Sequence, residues 1–171
     1  MMDILYKIKY MCSFSGAIVL IDQTSKYLAI SLFEGKEPIS LLGGCLRFLL
    51  AENRGGFLSL GASLPEEARN IIFLVFSSIF LLIFSVFTLR ESSITPGVLA
   101  ASSMIIGGGV GNLIDRIFRD GAVIDFVNVG VGSLRTGIFN VADMAVLFGC
   151  ILLFVVMIRS GDKGNPEKGK S

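Results

Sequence analysis

The sequence predicts a membrane protein that is all-α apart from a small β element, built as a bundle of four transmembrane helices. Two observations carry that reading. Four stretches are apolar over roughly 20 residues, enough to cross a hydrocarbon core of about 30 Å. Charge makes up only 17% of the 171 residues, while 53% are hydrophobic and the mean hydropathy is +0.75. The stretches are about 11–33, 71–89, 96–114 and 138–158. Residues 1–160 are expected to be one polytopic domain, with loops over 34–69 and 115–137, and residues 161–171 a polar, disordered tail.

The first stretch has a basic front, Lys7 and Lys9, but its apolar run carries Asp22 and Lys26 and lacks a small-residue cleavage site. It reads as a retained helix rather than a cleaved signal. Asp22 and Lys26 are four apart and share a face, in the favourable acid-then-base order. They read either as a self-neutralising pair with Lys26 snorkelling to the interface, or as a brace for one side of the bundle.

In the first loop, Pro38–Leu42 and Cys45–Leu50 flank Gly43-Gly44 and read as two short strands around a turn. A loop this apolar is expected at the membrane surface. Ser63-Leu64-Pro65-Glu66 reads as a capping box that opens the second helix. That helix is uncharged over 71–89 and offers only packing or lipid contact. Thr95 and Pro96 are a cap and a first-turn proline for the third. Near its end, Gly107 and Gly111 have the small-xxx-small spacing that lets helices approach. Asn112, Asp115 and Arg116 follow on one face.

The second loop reads as strand over Ala122–Val129 and Leu134-Arg135, broken by Gly130, Gly132 and Gly137. The fourth helix is expected from Ile138, with Asn140 and Asp143 facing the same way.

Asp125 lies in an apolar strand and Asp143 near the start of an apolar helix. A carboxylate costs at least a few kcal/mol at a membrane segment, so both are functional candidates. The chain has no histidine. That removes Ser-His-Asp and Cys-His catalysis and HExxH zinc chemistry. Cys12, Cys45 and Cys150 are far apart and form no metal or disulfide framework. A net charge of +1 gives no basic stripe for nucleic acid. Ser25 and Lys26 are adjacent, hence about 100° apart on a helix, and do not make a dyad. The remaining hydrolytic option is an aspartyl pair, in which close carboxyls share one proton and act on water. The non-enzymatic alternatives are salt bridges, Asp143 with Arg116 and Asp125 with Arg119 or Arg135, or ion binding in a small carrier or assembly factor.

Five motifs, in order, resemble those of lipoprotein signal peptidase (signal peptidase II), the bacterial membrane aspartyl peptidase family. They are Asp22-Gln23-Thr24-Ser25-Lys26, Glu52-Asn53-Arg54-Gly55-Gly56-Phe57, Gly111-Asn112-Leu113-Ile114-Asp115-Arg116, Val123-Ile124-Asp125-Phe126 and Phe139-Asn140-Val141-Ala142-Asp143. The resemblance implies Asp125 and Asp143 as the catalytic pair. It implies Asn53, Gly55, Asn112, Asp115, Arg116 and Asn140 as residues lining or bracing the site, with Asp22 and Lys26 in support. It also implies an extracytoplasmic β-cradle on the bundle, no metal or cofactor, and inhibition by globomycin-type peptides. The implied substrate is a diacylglyceryl-prolipoprotein, cut before its lipidated cysteine. The implied setting is a bacterial inner (cytoplasmic) membrane and its lipid, with a monomeric enzyme whose site faces outward. Cationic residues tie in number between the two sides but are denser on the terminal side, which favours cytoplasmic termini. The sequence departs from the family's usual pattern in two places: Phe57 comes one residue early after Gly55-Gly56, and Met144 stands where serine is frequent.

Overall fold

The structure is a computed structural model that describes residues 2–55 and 65–162. Its helices are α1 (Ile4–Phe33), α2 (Glu66–Arg90), α3 (Pro96–Phe118) and α4 (Val141–Asp162). All four contain windows long and apolar enough to cross a membrane. The strands are β1 (Ile39–Leu41), β2 (Leu46–Asn53), β3 (Val123–Val131) and β4 (Leu134–Arg135), and they form one antiparallel sheet in the order β1-β2-β3-β4. Ser63 and Leu64 of the expected capping box lie outside the described residues, as does Phe57.

Each helix is longer, or starts elsewhere, than its apolar run. Helix α1 begins at Ile4 rather than residue 11 because Lys7 has a buried use. Its Nζ donates to the carbonyls of Glu91 at 2.6 Å and Leu89 at 3.3 Å, closing the end of α2. At 1.5 Å per residue α1 is about 45 Å long, well beyond a bilayer core. Helix α2 begins at Glu66 and so shortens the first loop. Helix α3 opens under Thr95, whose Oγ1 accepts from the Val98 N–H at 3.3 Å. It continues through Asp115 and Arg116 to Phe118. Helix α4 starts at Val141, three residues later than the apolar run, and its helical backbone reaches Asp162. Gly130 does not break β3; it pairs with Arg135. A Cβ there would lie 2.4 Å from the Leu134 carbonyl oxygen, so only glycine fits that close strand approach.

Helix α3 is the axis of the bundle. Its inner faces carry small residues, among them Ala101, Ser102 and Ser103, all buried. Ser15 Oγ on α1 donates to the Ser103 carbonyl at 2.8 Å. Consecutive helical residues point about 100° apart, and Gly107, Gly108 and Gly109 thereby meet three different helices. A Cβ on Gly107 would sit 3.0 Å from Ser15 on α1. On Gly108 it would sit 2.4 Å from the Ala142 carbonyl oxygen of α4, and on Gly109 2.5 Å from Leu81 of α2. Gly111, one turn after Gly107, again faces α1, with a Cβ 2.7 Å from Asp22 Oδ2.

The contact at Gly108 is against backbone, which cannot rotate away. Gly108→Ala is therefore expected to push α3 and α4 apart and to cost roughly 1–3 kcal/mol, the range for overpacking. Gly16, with open space around it, is the control. Thermal unfolding in detergent checks this: Gly108→Ala melts earlier and Gly16→Ala does not.

Candidate active site

The site forms where the sheet meets the ends of α1, α3 and α4. Asp143 stands in the first turn of α4, and Asn140 immediately precedes that helix. The two cap each other. Asn140 Oδ1 accepts from the Asp143 N–H at 2.9 Å, and Asp143 Oδ2 accepts from the Asn140 N–H at 3.2 Å. This reciprocal pattern is a capping box built from asparagine and aspartate. It explains the late start of α4. Asn140 is the cap before the helix, not a residue within it. A further first-turn donor, the Ala142 N–H, goes to Asp22 Oδ1 of α1 at 2.8 Å.

Asp125 is the third residue of β3 and is 2% exposed. Its two oxygens accept from Asn140 Nδ2 at 2.7 Å and from Asn53 Nδ2 at 3.0 Å. Asn53, at the end of β2, is itself held by the Gly55 N–H, 3.0 Å from its Oδ1. Burial pushes the Asp125 carboxyl up to about 7, and the nearby Asp143 charge pushes the same way. The hydrogen bonds from Asn53 and Asn140, and the more distant Lys26 charge, act against that rise.

The amides of Asn112 and Asn140 join the two carboxyls. Asn112 Nδ2 donates to Asp143 Oδ1 at 2.8 Å, and Asn112 Oδ1 accepts from Asn140 Nδ2 at 3.1 Å. Asn140 Nδ2 in turn holds Asp125. Behind this pair lies Lys26, fully buried. Its Nζ reaches Asp22 Oδ2 at 2.8 Å, Asp115 Oδ2 at 2.9 Å and Asn112 Oδ1 at 3.0 Å. An ammonium has three hydrogens to donate, and all three acceptors are filled by protein. The snorkelling arrangement is thus not adopted; Lys26 points inward because α3 brings it a second carboxylate. Ser25 does not join it: its Oγ donates to the Asp22 carbonyl at 2.7 Å.

Asp115 also accepts from the Ile124 N–H at 3.0 Å, which ties α3 to β3 one residue before Asp125. Gln23, quoted above only as part of a motif, is a site member that spacing did not flag. Its Nε2 lies 3.1 Å from both Asp115 Oδ1 and the Gly111 carbonyl. Its position next to Asp22 on α1 was the only available signal. The arginines expected as salt-bridge partners of the dyad go elsewhere. Arg119 lies 3.6 Å from Asp115, and Arg116 sits over the Phe73 ring and donates to the Asn112 carbonyl at 3.4 Å. Arg135 Nη1 donates to the Gly44 carbonyl at 2.9 Å, and its Nε donates to Asn128. Among the described residues, the hydrogen bonds that Asp125 and Asp143 accept come from amide N–H groups, while the charge of Arg116 acts on both without a direct bridge.

The model of the family described as signal peptidase (SPase) II matches residues 14–159. The chain belongs to the signal peptidase II family. A lipoprotein signal peptidase of Borrelia duttonii is 34% identical over 155 residues, covering 88% of this chain and 90% of that one. One from Halalkalibacterium halodurans is 35% identical over 151 residues, covering 88% and 93%. A solved structure of a bacterial membrane enzyme shares the fold, with a TM-score of 0.79 at 21% identity over 95% of this chain and 96% of that one. Signal peptidase II is an aspartic peptidase family, so the chain is an enzyme, and its four apolar helices make it a multi-pass membrane protein.

Proposed function

We propose that this signal peptidase II removes signal peptides from diacylglyceryl-modified prolipoproteins, cutting before the lipidated cysteine with water activated by Asp125 and Asp143. The observation that carries the reading is the placement of Asn140. It contacts both carboxyls, through its side-chain amide at Asp125 and its backbone N–H at Asp143. Two acids so close share a single proton. The ionised carboxylate takes a proton from water as the oxygen attacks the scissile carbonyl. The protonated partner donates to the carbonyl oxygen, which becomes a hydroxyl of the tetrahedral intermediate. Proton return to the amide nitrogen breaks the C–N bond. The signal peptide leaves with a carboxylate end, and the lipidated cysteine becomes the new amino terminus. No covalent enzyme intermediate forms.

In this reading Asn53 and Asn112 orient the dyad, and Asp22, Lys26 and Asp115 fix the elements that carry it. Arg116 braces the end of α3. The protein works as a monomeric, single domain in the cytoplasmic membrane, with termini inside and the dyad toward the outer face. A substrate anchored by its lipid reaches such a site by diffusing in the bilayer plane, and globomycin-type peptides compete for the same place.

Two measurements test the reading. Purified enzyme is expected to cut a diacylated lipobox peptide immediately before the modified cysteine and to leave the unlipidated peptide whole. Equal cutting of both would remove the substrate assignment. The second is the pH profile. Burial pushes the Asp125 carboxyl up to about 7, so the shared proton is expected to be present below neutrality and lost above it. The rate is expected to fall about tenfold per pH unit on the alkaline side. The folded state also binds this proton more tightly than the unfolded chain. The proton's contribution to stability is therefore full at pH below the ordinary carboxyl value and is lost as pH rises toward 7. Asp125→Asn should flatten that slope.

A further inference from the structure

Helix α2 is uncharged over 71–89, yet its first turns reach the site. Asn70 Nδ2 donates at 2.9 Å to the carbonyl of Asp120, in the turn that leads from α3 to β3. The approach there is close. Gly121 has a φ of +81°, and a Cβ on it would lie 2.3 Å from Asn70 Cγ, so only glycine lets α2 come this near. The start of α2 is thereby fixed against the end of α3. Phe73, three residues after Asn70, lies on the same side of the helix. Arg116 Cζ stands over its ring, 5.9 Å from the centroid.

Arg116 is a cation beside acids that it does not touch. Its charge acts on Asp143, Asp125 and Asp115, but among the described residues it forms an ion pair with none of them. At low dielectric a guanidinium and a nearby carboxylate attract strongly, and two parallel N–H···O bonds are their preferred meeting. Two contacts compete with that attraction. Nη1 donates to the Asn112 carbonyl at 3.4 Å, a long bond within its own helix. The flat, weakly hydrated guanidinium also stacks well on an aromatic face, and Phe73 supplies one from another helix. The remaining charged groups nearby are taken or are cations. Asp115 already receives Lys26, Gln23, Arg119 and the Ile124 N–H. Asp22 on α1 is held by Lys26, and Glu52 of β2 pairs with Arg54. Arg69, one turn before Phe73 on α2, is itself a cation. Without the ring, the dyad carboxyls are the partners left for Arg116.

We propose that Phe73 is a positioning residue for the dyad: its ring holds the Arg116 guanidinium off Asp125 and Asp143, where it acts by charge and does not bridge. A bridged carboxylate would be held ionised and fixed in place, and the pair could no longer share one proton. This role depends on the two acids cutting the substrate as proposed above.

Full-length variants in detergent test it on the diacylated lipobox peptide. Phe73→Leu keeps an apolar side chain and has no π face. It is expected to lower kcat by about tenfold, the order that a desolvated cation–π contact is worth, with KM little changed. The alkaline limb of the rate should also move to lower pH, because a guanidinium on the dyad favours its ionised form. Phe73→Trp, whose face binds cations best, is expected to restore both. In an Arg116→Met background, Phe73→Leu should cost no further rate. Parental kcat and pH profile in Phe73→Leu would overturn the proposal. A loss of the same size in the Arg116→Met background would make Phe73 a packing residue and overturn it equally. The chain has no tryptophan, so Phe73→Trp also reports without cleavage. Its emission is expected to shift when Arg116→Met is added, and emission that stays put would remove the contact itself. Should Arg116→Met leave no measurable rate, the pH profile and the emission decide. A parent enzyme that leaves the peptide whole while the emission shifts would end the role of the dyad in cleavage, and that of Phe73 with it, although the ring–guanidinium contact exists.

Discussion

Asp125→Asn and Asp143→Asn are each expected to lower cleavage of a diacylated lipobox peptide by on the order of 10⁴-fold, the upper end of what a positioned acid or base supplies. An asparagine keeps the size of the side chain, so packing is little disturbed. At 125, the amide can still accept from Asn53 or Asn140, but one of its groups now donates toward a neighbour that also donates. At 143, the capping contact to the Asn140 N–H survives through the amide oxygen. Neither variant can hold a mobile proton. Thermal unfolding in detergent separates the chemistry from the fold: both variants should melt near the parent and yet fail to cut. A folded Asp143→Asn enzyme with ordinary turnover would end the assignment of residue 143, and the same result at 125 would end that of Asp125.

Lys26→Met is expected to be the most destabilising single change in the bundle. Lys26 and its partners Asp22 and Asp115 are all at 1% exposure or less. Removing the cation leaves two buried carboxylates facing each other, and breaking a buried pair in this way costs about 3–5 kcal/mol. The effect should reach the dyad as well. Lys26 Nζ holds Asn112 Oδ1, and Asn112 Nδ2 holds Asp143. Lys26→Met should thus lose both melting temperature and turnover. Lys26→Met combined with Asp22→Asn and Asp115→Asn, which removes the stranded charges, should recover much of the stability. A Lys26→Met protein that melts with the parent would show that the ion cluster contributes nothing to the fold.

The apolar runs were legible because a bilayer demands length and hydropathy, and four stretches supply both. Their ends were not legible. Lys7 looks like the polar edge of a segment, yet it is buried within α1 because the carbonyls at the end of α2 need a donor. Residues 138–140 look like helix because they are apolar or neutral, yet Asn140 stops the helix by bonding the Asp143 N–H. Short apolar stretches set off by glycines identified the strands in the loops, since glycine turns are written locally in the sequence. They did not locate the β2 irregularity between Phe48 and Ala51, which depends on the partner strand. Of the site, the two aspartates stood out as acids in apolar surroundings. The Asp22–Lys26 pair was legible from its spacing and forms, but the second carboxylate on Lys26 and the place of Gln23 were not, because both depend on Asp115, which is brought to them only when α3 packs on α1. The same holds for Gly108. The Gly107 and Gly111 spacing drew attention to the α1 side, whereas the closest backbone approach is on the α4 side.

The cluster of Asp22, Lys26 and Asp115 has a consequence for how such a chain can change over generations. Lys26 cannot drift alone to an uncharged residue without stranding two buried carboxylates, whereas loss of either aspartate still leaves the cation one carboxylate. Loss of the cluster is therefore expected to begin at an aspartate, with the remaining acid and the lysine going together. That constraint ties together positions 93 apart in the sequence.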